Sequence, residues 1–209
     1  MINSNNVIGD HFWLWRANKI SNHPNALGQT ANGIGWDINT TKNAIVVTGD
    51  DVTVYALFLE HFHEYNAIWL GDRGKTFFVQ YETPYEAPNQ SAWMSHDGKV
   101  RGWAAYKVAN DVNEHLVAGV GNYVVLHEVK TPPVIADNSI EVPNKNGVVV
   151  YNAVISVFGS ESNGYFNSVI NGTGGSGNNK RVLKYENGSG TQPEDEEFLT
   201  WLDGMSLRP

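Results

Sequence analysis

Two short segments concentrate the side chains able to move protons: Leu59-Glu60-His61-Phe62-His63-Glu64-Tyr65 and Gln80-Tyr81-Glu82-Thr83-Pro84-Tyr85. Glu60 and Glu82 are 22 residues apart (82 − 60), as are Val47 and Trp69 (69 − 47) and Tyr55 and Phe77 (77 − 55). Three features displaced by one interval predict stacked rungs, each strand lying about 4.8 Å above its counterpart. Carboxyls held that close cannot both ionise freely, so one of them keeps its proton to higher pH. A carboxyl protonated near neutrality is what general-acid catalysis requires, and glycosidases work with such pairs. Tyr81 and Tyr85 flank Glu82, and Pro84 fixes the path of the chain after it. Glu82 is therefore expected to be the raised member, the one whose protonated form matters, with Glu60 tuning it. The alternative is two surface glutamates of ordinary pKa.

Other chemistries find less support. His61 and His63 share a strand face, but no third metal ligand stands at standard spacing and there is no HExxH, so no metal is expected. Gly33-Ile34-Gly35-Trp36-Asp37 lacks the third glycine and the following helix of a nucleotide fingerprint. There is neither a P-loop nor a GxSxG, and no cofactor is implied. With no cysteine, disulfides, thiolate nucleophiles and Cys-ligated zinc are all excluded.

The elements that must position the acids read as strands. Short β-branched and aromatic runs at 12–15, 44–47, 52–59, 66–70, 76–81, 103–108, 116–126, 139–142, 147–158 and 165–170 are separated by turns such as Thr48-Gly49-Asp50-Asp51 and Gly71-Asp72-Arg73-Gly74. A β-sandwich would also show regular spacing. Thr131-Pro132-Pro133 reads as a break, residues 171–179 as a flexible Gly/Ser/Asn loop, and Glu194–Leu202 as the best helix.

The chain has 209 residues, 17% of them charged, with 7 Trp and 9 Tyr, so it can bury one sizeable core and offers many flat faces for sugars. A net charge of −8 argues against a nucleic-acid partner, which needs a basic stripe. No run reaches the roughly 18 apolar residues of a membrane span, and the Asn-rich start has no signal-peptide pattern.

Gly9-Asp10-His11-Phe12-Trp13-Leu14-Trp15-Arg16-Ala17 and Val46-Val47-Thr48-Gly49-Asp50-Asp51-Val52-Thr53 resemble a group of bacterial β-helix proteins, many of which carry the label adenylyl cyclase. That label finds no paired metal-binding Asp or phosphate cradle here. Leu59-Glu60-His61, Tyr65-Asn66 and Gln80-Tyr81-Glu82-Thr83-Pro84-Tyr85 are similar to the S-E-H and Q-T-E-[TS]-P-Y segments in the C-terminal half of glycoside hydrolase family 55, the β-1,3-glucanases. The resemblance runs from about Gly9 to Gly175. It implies two right-handed parallel β-helices side by side with substrate in the cleft between them, and hydrolysis with inversion. It also implies Glu82 as general acid and Glu60 in support. This chain is long enough for one helix, Leu59 replaces the serine, and the family positions its hydrolytic water from the other helix.

The expected fold is thus all-β, a right-handed parallel β-helix of the pectin-lyase-like solenoid type, either single or half of a double helix. Residues 1–130 would form its core, and residues 131–209 further strands completing or capping it. The expected function is hydrolysis of β-1,3-glucan or a related polysaccharide, outside the cell. Glu82 and Glu60 would be catalytic, with His61, Gln80, Tyr85, Trp15 and Trp93 contacting sugar; each aromatic reads equally well as core. Partners would be a poly- or oligosaccharide and a second β-helix half or another copy, with no nucleic acid and no membrane. Two rivals stand beside it: a non-catalytic glycan-binding or structural module, and a polysaccharide lyase drawing on Arg16 and Lys107.

Overall fold

Val47 lies beside Trp69, Tyr55 beside Phe77 and Glu60 beside Glu82, each pair on neighbouring parallel strands. The 22-residue interval is therefore the length of one coil of chain. The computed structural model describes residues 1–17, 36–37, 39–125 and 132–192. In chain order its strands are β1 (Ile8–Trp15), β2 (Ile45–Val47), β3 (Thr53–Glu60), β4 (Ala67–Trp69), β5 (Gly74–Glu82), β6 (Met94–Ser95), β7 (Val100–Arg101) and β8 (Tyr106–Val108). They continue with β9 (His115–Val125), β10 (Val134–Ala136), β11 (Ile140–Glu141), β12 (Val148–Phe158), β13 (Gly164–Phe166), β14 (Lys180–Glu186) and β15 (Ser189–Thr191). One 3-10 turn spans Gln90–Ala92.

The long strands stack in the order β1-β3-β5-β9-β12, all parallel, and the short ones in the order β2-β4-β8-β11, also parallel. The chain passes from one stack to the other within each coil, which is the architecture of a β-helix. A sandwich would have needed antiparallel neighbours. At the far end β14 pairs antiparallel with β12, and β15 antiparallel with β14. Beyond residue 131 two strands continue the stacks, β11 on β8 and β12 on β9, while β10 pairs with β13 in a sheet of its own. The loop at 171–179 is tied down: the Gly172 amide donates to Asn138 and the Asn171 side chain donates to the Val142 carbonyl. The proposed helix Glu194–Leu202 lies outside the described residues, as does Thr131 at the proposed break.

Stacking dictates residue type at the turns. A Cβ on Gly71 would stand 2.0 Å from the carbonyl oxygen of Gly49, and one on Gly49 equally close to that of Ser4. Only glycine lets the rungs close up there. Beside them Asp50 accepts the Asp72 amide, and Asp72 accepts the amides of Asn113 and Glu114, a ladder that satisfies turn N–H groups rung by rung.

Each long strand carries one interruption. His11, Ala56, Phe78, Gly119 and Asn152 all have φ between 50° and 76°, and the register places them side by side across five rungs. A left-handed residue inside a strand bends it and lets two successive side chains face outward. In β3, Val54, Leu57 and Leu59 are fully buried while Tyr55 faces out; in β5, Thr76, Val79 and Tyr81 are buried while Phe78 faces out. The inward spacing thus jumps from two residues to three at the bend. Strict alternation from Val54 would have pointed Glu60 into the core, and from Thr76 would have done the same to Glu82. The bend column turns both acids outward.

Candidate active site

Glu60 and Glu82 end β3 and β5 as register partners on the outer face. Single ligand atoms of Glu60, His61 and Glu82 all lie within 4.8 Å of one another. His61 reaches the pair because the chain turns sharply after β3. Its φ is 68°, its amide donates to the Glu82 carbonyl, and its ring drops between the rungs at 4% exposure.

The hydrogen bonds fix the tautomer. The indole N–H of Trp15 can only donate, and it meets His61 Nδ1 at 2.7 Å, so Nδ1 accepts. The His61 proton therefore sits on Nε2, which donates to Glu82 Oε2 at 3.1 Å. The Tyr85 hydroxyl donates to the same Glu82 oxygen, and Gln80 donates to Oε1 at 3.2 Å. Three donors aim at one carboxylate. Glu60 receives the Trp13 indole N–H on Oε1 at 2.9 Å.

This arrangement divides the pair, in the opposite sense to the expectation from sequence. The hydrogen bond from His61, assisted by those of Tyr85 and Gln80, holds the Glu82 carboxyl below its ordinary range and outweighs desolvation. Desolvation first, and then the neighbouring Glu82 charge, push Glu60 up. Tyr81 does not desolvate Glu82 as anticipated, because its ring is wholly buried on the inner face. Tyr85 presents its hydroxyl to the carboxylate as a donor. Burial and the Glu82 charge push the Tyr85 hydroxyl itself well above the usual phenol range.

The proposed sugar contacts separate into two groups. Trp15 is 48% exposed, and Gln80 and Tyr85 are half-buried beside the acids. Trp93 is a correction: it is 5% exposed, packed in the core, with its indole N–H on the His63 carbonyl, and offers no face to a ligand. His61 is likewise corrected from sugar contact to internal partner, since both ring nitrogens face Trp15 and Glu82. The basic residues of the lyase alternative are also committed. Arg16 is buried, ion-paired with Glu86 and donating to the His61 carbonyl. Lys107 pairs with Glu141, which His96 also meets at 3.0 Å. Glu60, His61 and Glu82 are the kind of donor set that can hold a cation, but hydrogen bonds with Trp15 and Glu82 already occupy both nitrogens of the histidine. Trp13 was missed by the sequence reading, although its two-residue spacing from Trp15 in β1 is the signal that both face outward.

The stacked coils define a β-helix, and comparison with known proteins agrees on the fold. A family model described as the LAM55 pectate lyase-like domain matches residues 1–82, a stretch that ends on Glu82 itself. An exo-β-1,3-glucanase of Streptomyces sp. (strain SirexAA-E / ActE) is 34% identical over 174 residues, which is 83% of this chain and 26% of that protein. A structure of sacteLam55A from Streptomyces sp. SirexAA-E superposes with a TM-score of 0.75 at 32% identity, covering 88% of this chain and 31% of that one. A variant of sacteLam55A in complex with glucose gives 0.74 at 31% identity, covering 87% and 31%. This chain is similar to the family 55-like β-helix proteins, and it spans about a quarter to a third of the length of the relatives it matches.

Proposed function

We propose that this chain carries the acid pair of a glycoside hydrolase acting on β-1,3-glucan. The observation behind the reading is the Glu60–Glu82 pair: neighbours on adjacent rungs, turned outward, with one carboxylate held by three donors and the other raised. The likeness to an exo-β-1,3-glucanase supports the substrate class.

Carboxyl oxygens within 4.8 Å are closer than the acid and base of inverting glycosidases, which stand about 6.5–9.5 Å apart. Glu60 and Glu82 therefore serve the same half of the reaction. In the uncovered protein Glu60 is the member that holds its proton to higher pH. A sugar that covers the pair strips water from Glu82, raises it, and lets it take that proton and pass it to the glycosidic oxygen. His61 and Tyr85 hold Oε2, and Oε1, which accepts the longer bond from Gln80, delivers the proton. The water that attacks the opposite face is positioned from a second wall, supplied by another β-helix or another copy of the chain. On this reading the solenoid is right-handed, residues 131–209 complete and cap it, and the protein works outside the cell on polymer.

The test is hydrolysis of a soluble β-1,3-glucan by the wild type, Glu82→Gln and Glu60→Gln. Glu82→Gln should lose about 10²- to 10⁴-fold in rate, the usual worth of a general acid. Glu60→Gln should lose less and move the acid limb of the pH–rate profile downward. An unchanged rate in Glu82→Gln refutes the assignment. A wild type that retains glucan but cleaves none replaces it with the binding-module reading.

A further inference from the structure

We infer that Trp13 forms a sugar-stacking subsite next to the acid pair and, through its indole N–H, is a positioning residue for Glu60; the inference deepens the glucanase reading and rests on it. Trp13 is 66% exposed, an unusual state for the largest apolar side chain. Its orientation is nonetheless fixed. The N–H edge is held by Glu60 Oε1, and the ring lies 6.3 Å from that of Trp15 at 11°, nearly parallel. Trp15 in turn is anchored by its own N–H on His61 Nδ1. Both indoles thus spend their only polar atom on the acid–histidine relay and leave apolar ring surface to solvent. A packing role requires neither feature.

The register extends the surface. Trp13 pairs with Phe58, and Phe58 pairs with Gln80, in the row adjacent to Trp15, Glu60 and Glu82. Phe58 meets Phe78 edge-on at 5.8 Å, and Phe78 is 59% exposed. A flat apolar plate bordered by a carboxyl and a carboxamide matches a pyranose, which has an apolar C–H face and a hydroxyl rim. It suits neither an anionic polymer, which the acids repel, nor a lipid surface, which has no use for the polar border. The indole N–H also holds the Glu60 carboxyl in one orientation by donating to Oε1.

The two roles separate by substitution. Trp13→Ala removes the plate and the donor, whereas Trp13→Phe keeps a plate and removes the donor. Binding of a β-1,3-linked glucose hexamer is measured by calorimetry in a Glu82→Gln background, where turnover is suppressed, and the Glu60 titration is followed by carboxyl NMR. Trp13→Ala should weaken binding about tenfold, the order expected for returning one sugar face to water. Trp13→Phe should bind within about threefold of the parent and raise the Glu60 midpoint, because the donor favours the ionised form. Unchanged binding in Trp13→Ala overturns the subsite, and an unmoved Glu60 midpoint in Trp13→Phe overturns the positioning role. A parent protein that neither binds the hexamer nor cleaves glucan overturns the glucanase reading itself, an outcome recognisable before any Trp13 variant is made.

Discussion

Tyr85→Phe isolates what holds Glu82 ionised. The substitution leaves the ring, and its packing 4.0 Å from that of His61, in place and removes only the hydroxyl that donates to Glu82 Oε2. Desolvation of Glu82 is therefore nearly constant and the change reads the hydrogen bond. A hydrogen bond to a charged group is worth roughly 1.5–3 kcal/mol, and 1.36 kcal/mol corresponds to one pKa unit. The Glu82 midpoint should therefore rise by about 1–2 units, with His61 and Gln80 still donating. Because Glu82 charge is one cause of the raised Glu60, the two groups titrate as a coupled pair and must be followed site by site, by carboxyl NMR. The stability sign follows from linkage. Glu82, lowered in the folded protein, stabilises it above the ordinary glutamate value of 4.5, and that stability is lost as pH falls through the lower folded value. Tyr85→Phe should thus be less stable than the wild type at pH 7, with the gap closing in acid. A Glu82 midpoint that stays put or falls would refute the reasoning and leave His61 and Gln80 as its determinants.

Glu60 has the opposite sign: raised in the folded protein, it favours folding below 4.5 and weakens it as pH rises through the folded value. Denaturant titration should find Glu60→Gln more stable than the wild type at pH 7 and equal to it in acid; a less stable variant at pH 7 counts against this. Ala56 sits at φ 50°, where an L residue costs about 1–2 kcal/mol and glycine costs less, so Ala56→Gly should raise the melting temperature by up to a few degrees. A clear fall would mean that its methyl group contributes packing. Gly71→Ala drives a Cβ to 2.0 Å from backbone that cannot yield, and should cost about 3 kcal/mol or more in chemical denaturation; a near-neutral result would show that the rungs can separate there.

Much of this was legible in the sequence because a stacked coil writes its own period. Val47 with Trp69, Tyr55 with Phe77 and Glu60 with Glu82 are register partners as the 22-residue interval predicts. The next coil is longer, pairing Gly74 with His115 and Glu82 with Tyr123, because residues 83–104 leave the helix and carry β6 and β7. That interval hides the repeat, and a two-residue strand such as β6 has no periodicity to read. Trp93 lies in the same excursion. Its composition fits a sugar platform as well as a core plug, and only the depth of the excursion decides between them. The direction of the Glu82 shift was misread for a related reason. Flanking tyrosines were counted as desolvating walls, but one turns inward and the other supplies a hydroxyl, a distinction set by which face each occupies.

Which face each occupies depends in turn on the bend column, and there sequence reasoning runs out for a physical reason. The left-handed residues are His11, Ala56, Phe78, Gly119 and Asn152, five different types of which Gly, Asn and His are those commonly found in that conformation. No local propensity places Ala or Phe there. Each is held by its register neighbours in the stack, so the strain is tolerated because the stack over-determines it. Without that single residue per strand, period-two alternation buries Glu60 and Glu82 in a core of valine, leucine and tyrosine, where an ionised pair has no solvation. With it, the same alternation resumes on the other face, and Trp15, Glu60, Glu82 and Tyr123 emerge as one outward row. The acid pair is therefore a property of the column, and the column is a property of five coils together, which no window of one strand contains.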